Sequence, residues 1–171
     1  MEIISHLTGE TVSSNSIEAF TLYKKSHFGE PLGEKIQYSL PEALFLVEKG
    51  KMEIHYLGKK ISSKDLLKKA YRADKRIHVK YPVFRDLRNR GYVVKTALKF
   101  GADFRVYEKG ASPGKKHAKW IVFTDHESKR LTWHEFSAKN RVAHSTKKNL
   151  LLAILDDEGD VSYYEVRWIR P

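Results

Sequence analysis

The sequence contains no cysteine, which excludes disulfide bonds and metal sites built on thiolates. It also has no run of about 18 consecutive apolar residues, so no segment is expected to span a membrane. The opening residues Met1-Glu2-Ile3-Ile4 carry neither the basic lead nor the apolar stretch of a secretory signal. These absences lead us to expect a cytoplasmic protein without membrane contacts.

Acidic residues are outnumbered by basic ones. The chain has 171 residues, with 32 lysines and arginines against 21 aspartates and glutamates, for a net charge of +11. The excess is concentrated between Arg105 and Lys148, where eleven basic residues accompany four acidic ones. After Lys148 the balance reverses, with two arginines against five acidic residues. The basic segment favours nucleic acid as the partner, and a basic and an acidic region on one chain also suit self-association.

Clustered metal ligands are missing as well. Asp86, Asp103 and Asp125 fall on separate predicted elements, which argues against a two-metal catalytic site. The histidines of the first 75 residues are not grouped as zinc ligands would be. The sequence therefore predicts neither a metal site nor a cofactor.

The residue pattern predicts two domains, residues 1–75 and 76–171. The first is a small α+β domain, in which a hairpin around Gly9 precedes helices that begin near Ser16, Pro41 and Ser62. In the second, a helix leads into a sheet of four or five strands with helices packed against it. The helices of the second domain are expected at residues 76–90 and about 132–139, and its strands at residues 92–95, 104–107, 120–123, 141–144, 150–155 and 161–169.

Three side chains of the basic segment form a set suited to cleaving RNA. RNA carries its own nucleophile, the ribose 2′-hydroxyl, so cleavage needs only a base, an acid and charge stabilisation. Tyr107, His117 and Lys148 offer a phenol, an imidazole and an amine for these tasks without a metal. Taken singly, each has an ordinary explanation: a strand tyrosine packs, a histidine after a glycine-rich loop is solvated, and a lysine pair is exposed.

Longer stretches around these residues resemble one family. The segments Gly91–Tyr107, His117–Trp120, Arg141–Lys148 and Asp156–Trp168 are together similar to the archaeal tRNA-splicing endonucleases. The resemblance includes the separations of 10 residues from Tyr107 to His117 and 31 residues from His117 to Lys148. It covers residues 80–171 closely and the first part of the chain more loosely.

The resemblance implies an α+β N-terminal domain followed by an α/β, restriction-endonuclease-like nuclease domain with a central mixed sheet. It implies that Tyr107 acts as general base on the 2′-hydroxyl, or only orients it. His117 would protonate the departing 5′-oxygen, and Lys148 would stabilise the phosphoryl charge. The substrate would be precursor tRNA with a bulge-helix-bulge shape, cut without a cofactor to give 2′,3′-cyclic phosphate and 5′-hydroxyl ends.

The resemblance further implies a homotetramer built as a dimer of dimers. Arg141 and Trp168 would clamp a bulged nucleotide at the active site of another subunit, although the residues alone suggest a strand-edge charge and a core or interface tryptophan. An acidic loop would insert into a basic pocket of a neighbouring subunit, although the residues alone suggest a plain hairpin turn. This loop contains Asp156, Asp157, Glu158 and Asp160.

Two other functions stay open on the sequence. One is a non-catalytic RNA-binding or structural subunit that needs a second protein to work. The other is a metal-dependent DNA nuclease on a similar fold. An assay of the purified chain separates the three functions. RNA cleavage in the presence of EDTA supports the metal-independent endonuclease, RNA binding without cleavage supports the non-catalytic subunit, and inhibition by EDTA supports the metal-dependent DNA nuclease.

Overall fold

Two mixed β-sheets, each in its own unit of the chain, organise the structure. The computed structural model describes residues 2–171. One compact unit ends at His78 and the second begins at Val79. The division predicted between residues 75 and 76 lies in the link that joins the third helix to the fourth.

The first unit has a six-stranded sheet and three helices. The strand order is β3-β4-β2-β1-β5-β6, in which β1 and β5 are parallel and the other neighbours are antiparallel. The strands are β1 (Ile3–Thr8), β2 (Thr11–Ser14), β3 (Glu30–Leu32), β4 (Lys35–Tyr38), β5 (Met52–Tyr56) and β6 (Lys59–Lys60). The helices are α1 (Ile17–Ser26), α2 (Leu40–Glu48) and α3 (Ser63–Ala73).

Serines start the helices of this unit. The Ser16 side chain accepts a hydrogen bond from Ala19 N and the Ser62 side chain accepts one from Asp65 N, which satisfies amide groups that have no partner within the helix. In α2 a proline occupies the first turn, where its missing N–H is harmless. The predicted starts of all three helices are confirmed.

The second unit is built on a five-stranded sheet. The strand order is β11-β10-β9-β8-β7, with β9 and β10 parallel and the other neighbours antiparallel. The strands are β7 (Val93–Thr96), β8 (Phe104–Tyr107), β9 (Trp120–His126), β10 (Asn149–Leu155) and β11 (Val161–Val166). The helices are α4 (Ile77–Asn89) and α5 (Trp133–Ser145), and a 3₁₀ turn spans Leu98–Phe100.

The core of the second unit lies between the sheet and its helices. Ile121 and Leu150, on the parallel strands β9 and β10, are fully buried in one cluster with Ala143 of α5. Phe84 of α4 packs against Phe104 of β8 with their ring centroids 5.8 Å apart. The predicted fold class, an α+β unit followed by an α/β unit with a central mixed sheet, is confirmed.

Two predicted strands of this unit need correction. Residues 141–144 belong to α5, because the helix that begins after Thr132 continues to Ser145 instead of ending near Lys139. No glycine or proline interrupts it, and Ala143 on its inner face packs into the core. The last strand ends at Val166, three residues before the predicted end at Ile169.

Candidate active site

Tyr107, His117 and Lys148 line one cavity of about 310 Å³ in the second unit. The sheet topology explains how they meet. Strand β9 pairs with β8 in the antiparallel direction and with β10 in the parallel direction. The last residue of β8 and the first residue of β10 therefore both lie beside the start of β9. Tyr107 is the last residue of β8, Lys148 directly precedes β10, and His117 lies in the connection between β8 and β9.

Tyr107 lines the cavity and is buried. Only 5% of its surface is exposed, and it forms a small apolar cluster with Ala111 and Ala118. Its strand neighbour on β7 is Val93, which packs against the same cluster. Two short residues of the β8–β9 connection therefore fix the tyrosine ring and bring the connection back over the end of β8.

The connection itself presents His117 to solvent. Ser112 O accepts hydrogen bonds from Lys115 N at 3.1 Å and Lys116 N at 3.0 Å, so the chain turns tightly before the histidine. Gly114 supplies a backbone φ of +88°, which side chains rarely adopt. His117 is exposed, in contrast to the buried Tyr107.

Lys148 is placed by the junction of α5 with β10. Lys148 N donates to Ala143 O at 2.9 Å as the helix ends, and Asn149 N donates to Lys119 O at 2.9 Å as the strand begins. Lys147 takes the left-handed conformation between them, with φ of +55°. The Lys148 amine donates to Thr146 O at 2.9 Å and lies 5.6 Å from the centre of the Phe100 ring.

The cavity is strongly electropositive. Five of its ten lining residues are cations and none is aspartate or glutamate. Burial lowers the pKa of Lys148, and the positive charges of Arg105 and Lys99 lower it further. The cationic lining residues are Lys99, Arg105, Lys115, Lys116 and Lys148.

Two of these cations, Lys99 and Arg105, were not singled out from the sequence. Arg105 carried a usable signal, because it stands two residues before Tyr107 on the same strand and therefore projects to the same face. Lys99 carried none, since it reaches the cavity from a 3₁₀ turn that no residue pattern predicted.

Arg141 and Trp168 do not line this cavity. Arg141 is exposed on α5, and Trp168, which follows β11, is 55% exposed. The His144 ring lies 5.0 Å from the Trp168 ring, centre to centre, and His144 is three residues after Arg141 on the helix. Arg141 and His144 therefore lie one turn apart on α5, a proximity that the predicted strand at residues 141–144 concealed.

The acidic segment forms the tip of the β10–β11 hairpin. Asp156 shapes it: its carboxylate accepts from Glu158 N at 2.9 Å and from Asp160 N at 2.8 Å. Asp157 is exposed, and its carboxylate lies 3.2 Å from His126 Nε2. The hairpin thus presents three of its four acids to solvent, namely Asp157, Glu158 and Asp160.

The structure offers no metal-binding group in the part of the chain that it describes. No three or more histidine, cysteine, aspartate or glutamate side chains among residues 2–171 come together as ligands for an ion. Within the same residues, every helix is too short or too polar to cross a membrane.

Comparison with known proteins gives matches over both units. Residues 77–163 match the family described as tRNA intron endonuclease, catalytic C-terminal domain. Residues 3–67 match its N-terminal domain family. The tRNA-splicing endonuclease of Thermococcus gammatolerans is 41% identical over 169 residues, which are 98% of this chain and 99% of that protein.

Two further relatives carry the same name. The tRNA-splicing endonuclease of Methanothermobacter thermautotrophicus is 42% identical over 161 residues, 94% of this chain and 93% of its own. That of Pyrococcus horikoshii is 42% identical over 166 residues, 96% of this chain and 95% of its own. The similarity therefore extends over nearly the full length of both partners in each pair.

Proposed function

The chain belongs to the tRNA intron endonuclease family and is an endonuclease of tRNA splicing, and from that premise we propose how it recognises and cuts its RNA. It recognises the bulge-helix-bulge shape of precursor tRNA and cuts within the bulges without a metal. The observation that carries this proposal is that a phenol, an imidazole and an amine share one cavity lined by five cations and no carboxylate. Such a cavity suits a phosphodiester and repels a divalent ion.

The reaction is an in-line transesterification. The 2′-oxygen attacks the adjacent phosphorus, a bond forms between them, and the bond from phosphorus to the 5′-oxygen breaks. Tyr107 takes the proton of the 2′-hydroxyl or holds that hydroxyl in line for attack, and His117 gives a proton to the departing 5′-oxygen. The products are a 2′,3′-cyclic phosphate and a 5′-hydroxyl.

Lys148 stabilises the charge that builds on the phosphoryl oxygens during this step. Its backbone is fixed between a helix end and a strand start, and its amine donates a hydrogen bond to Thr146 O, so the amine needs little reorganisation when the charge develops. His117 is exposed, which leaves it accessible to the leaving oxygen. Tyr107 is instead buried and held by packing. The two positions support different roles for the two groups.

The active assembly is a homotetramer, a dimer of dimers, because two separated cuts in one RNA need two sites at a fixed distance. Arg141 and Trp168 stack on a bulged base at the active site of another subunit. Their position away from the cavity of their own chain supports this. The exposed acids of the β10–β11 hairpin join the dimers, and the edge strand β11 contributes to the contact within each dimer.

A cleavage assay of the purified chain tests the proposal. With a bulged precursor RNA and EDTA in excess, we expect undiminished cutting at both bulges, and end-group analysis should give cyclic phosphate and 5′-hydroxyl. A fully paired RNA of the same length is the control substrate and should stay intact. Loss of cleavage in EDTA would point to the metal-dependent nuclease, and binding without cutting would point to the non-catalytic subunit.

The role of His117 is tested in the same assay. His117→Ala should lower single-turnover cleavage by a factor of about 10² to 10⁴, because the leaving oxygen loses its acid. The affinity for RNA should change little. His134→Ala is the matched control, since His134 is an exposed histidine on α5 outside the cavity. Equal losses of cleavage and binding in His117→Ala would contradict the proposed role.

A further inference from the structure

The cavity contains more positive charge than one phosphodiester can neutralise. A scissile phosphate carries a single negative charge, and the amine of Lys148 is positioned to balance it. Two more cations on regular structure, Lys99 in the 3₁₀ turn and Arg105 on β8, line the same cavity. Cations that line one cavity attract a polyanion more strongly than a single negative charge.

The positions of Lys99 and Arg105 set them apart from the other cations. Lys115 and Lys116 lie on the connection that carries His117, whereas Lys99 lies in the 3₁₀ turn between β7 and β8 and Arg105 lies on β8, an inner strand of the sheet. Arg105 is half-buried, and the other three cations are exposed. Arg105 shares its strand face with Tyr107, two residues away. Both Lys99 and Arg105 act electrostatically on Lys148, whose pKa they lower, which places their charges within range of its amine.

We propose that Lys99 and Arg105 form a second phosphate-binding site, which holds the phosphate next to the scissile one in the RNA. The inference rests on the proposed function, because it takes Lys148 as the residue facing the scissile phosphate. A guanidinium binds a phosphate through two parallel hydrogen bonds, and a lysine adds a point charge. Together they fix the strand on one side of the cut.

This site has a specific task in the reaction. A 2′-oxygen attacks efficiently only when it lies in line with the bond that breaks, and free RNA adopts many other backbone conformations. Fixing the neighbouring phosphate limits these conformations and brings the reacting atoms into line. Lys99 and Arg105 therefore bind and position the RNA strand, while Tyr107, His117 and Lys148 take part in forming and breaking the bonds to phosphorus.

A charge-neutralised substrate tests the site directly. The linkage on each side of the scissile phosphate is replaced in turn by a neutral methylphosphonate, and kcat/KM is measured for the unaltered protein, Lys99→Met and Arg105→Met. We expect one of the two modified RNAs and each variant to lose about tenfold in kcat/KM. Combining that RNA with a variant should give a loss well below the product of the separate losses, because both changes remove the same contact.

Controls separate this site from general charge and from folding. Lys129→Met removes a lysine that pairs with Asp125 outside the cavity, and its effect should multiply fully with that of the modified RNA. Arg105→Lys keeps the charge, so it should fold and recover part of the loss even where Arg105→Met is unstable. Fully multiplicative losses for Lys99 and Arg105 with both modified RNAs would overturn the second site.

The outcome is distinguishable from failure of the proposed function. If the unaltered protein does not cut unmodified RNA in EDTA, the proposed chemistry fails. RNA affinity, measured for the same proteins and modified RNAs, then decides on the second site: it fails as well if the losses of affinity from variant and modified RNA simply multiply. If cleavage proceeds and the losses simply multiply, the chemistry stands and the second site does not. Coupling in affinity and in kcat/KM supports both.

Discussion

The surroundings of Lys148 disfavour the charged form of its amine. Burial lowers the pKa of its amine below the ordinary lysine value, and Arg105 and Lys99 lower it further. The folded state therefore binds fewer protons than the unfolded state between the two pKa values. The stability linked to this group is present in full above the unfolded pKa and is lost as the pH falls through the folded pKa. The charged form of the amine thus destabilises the fold.

Replacing Lys148 should show this directly. Lys148→Met should abolish cleavage and stabilise the protein at pH 7, by less than about 1 kcal/mol because water screens the partly exposed amine. The gain should shrink as the pH rises into the lysine range. Urea unfolding at several pH values measures it, with Lys129→Met as the control that gains nothing. A clear loss of stability would mean that the hydrogen bond to Thr146 O outweighs the repulsion.

The three residues proposed to be catalytic could be predicted from the sequence, but their arrangement in space could not. The separations between Tyr107, His117 and Lys148 contain no information on their distance in space, and the sequence analysis grouped them only by their chemistry and by the family resemblance. Their convergence becomes understandable from the strand order, which no local pattern fixes. Their catalytic roles, and those of Arg141 and Trp168, stay predictions until the variants are measured.

Helix α5 connects the parallel strands β9 and β10 and ends three residues before Lys148. Its start was predictable because Thr132 and Glu135 form a capping box: Thr132 Oγ1 accepts from Glu135 N at 3.2 Å, and the Glu135 carboxylate accepts from Thr132 N at 2.8 Å. The hydrogen bonds that Thr132 N and Thr132 Oγ1 donate to the Glu135 carboxylate hold the pKa of Glu135 below its usual range. Its end was not predictable, because the helix closes through Lys147 in a left-handed conformation that glycine would normally signal.

Removing the cap should separate stability from activity. Thr132→Ala should lower the free energy of unfolding by about 1 kcal/mol, since an amide at the helix start loses its partner. Cleavage well below the melting temperature should stay within about twofold, because the other end of α5 holds Lys148. Ser137→Ala, an exposed substitution beyond the cap, is the control for urea unfolding and kinetics. A large loss of cleavage would mean that the loss of the cap at the start of α5 changes the position of Lys148 beyond the other end of the helix.

At the scale of the whole molecule, the acidic hairpin is the element that the proposed assembly depends on. Asp156 is occupied with backbone amides of the loop, so it should be left in place. Asp157 and Asp160 are exposed, and the side-chain hydrogen bonds that close the turn come from Asp156 and not from these two carboxylates. Replacing them removes the contact of Asp157 with His126 Nε2 but leaves the bonds of Asp156 in place. Reversing their charge isolates the contact between dimers from the fold of the hairpin.

The double variant Asp157→Lys/Asp160→Lys should sediment as a dimer, because repulsion from a basic pocket replaces attraction. Added salt should dissociate the unaltered tetramer before it dissociates the dimers, since exposed charges are screened over about 8 Å at physiological ionic strength. Glu10→Lys/Glu34→Lys changes the net charge equally on exposed residues of the first unit and serves as the control. A tetramer that survives in the hairpin variant would remove the loop from the assembly.

The junction of α5 with β10 has one more consequence, for changes in chain length. Lys148 N is tied to the helix through Ala143 O, and the next amide, Asn149 N, is tied to Lys119 O beside β9. An insertion or deletion on either side of Lys148 must break one of these two backbone hydrogen bonds and shift the amine relative to Tyr107. These two hydrogen bonds therefore fix the number of residues in the junction. Family members that retain the reaction should have their insertions and deletions elsewhere in the chain.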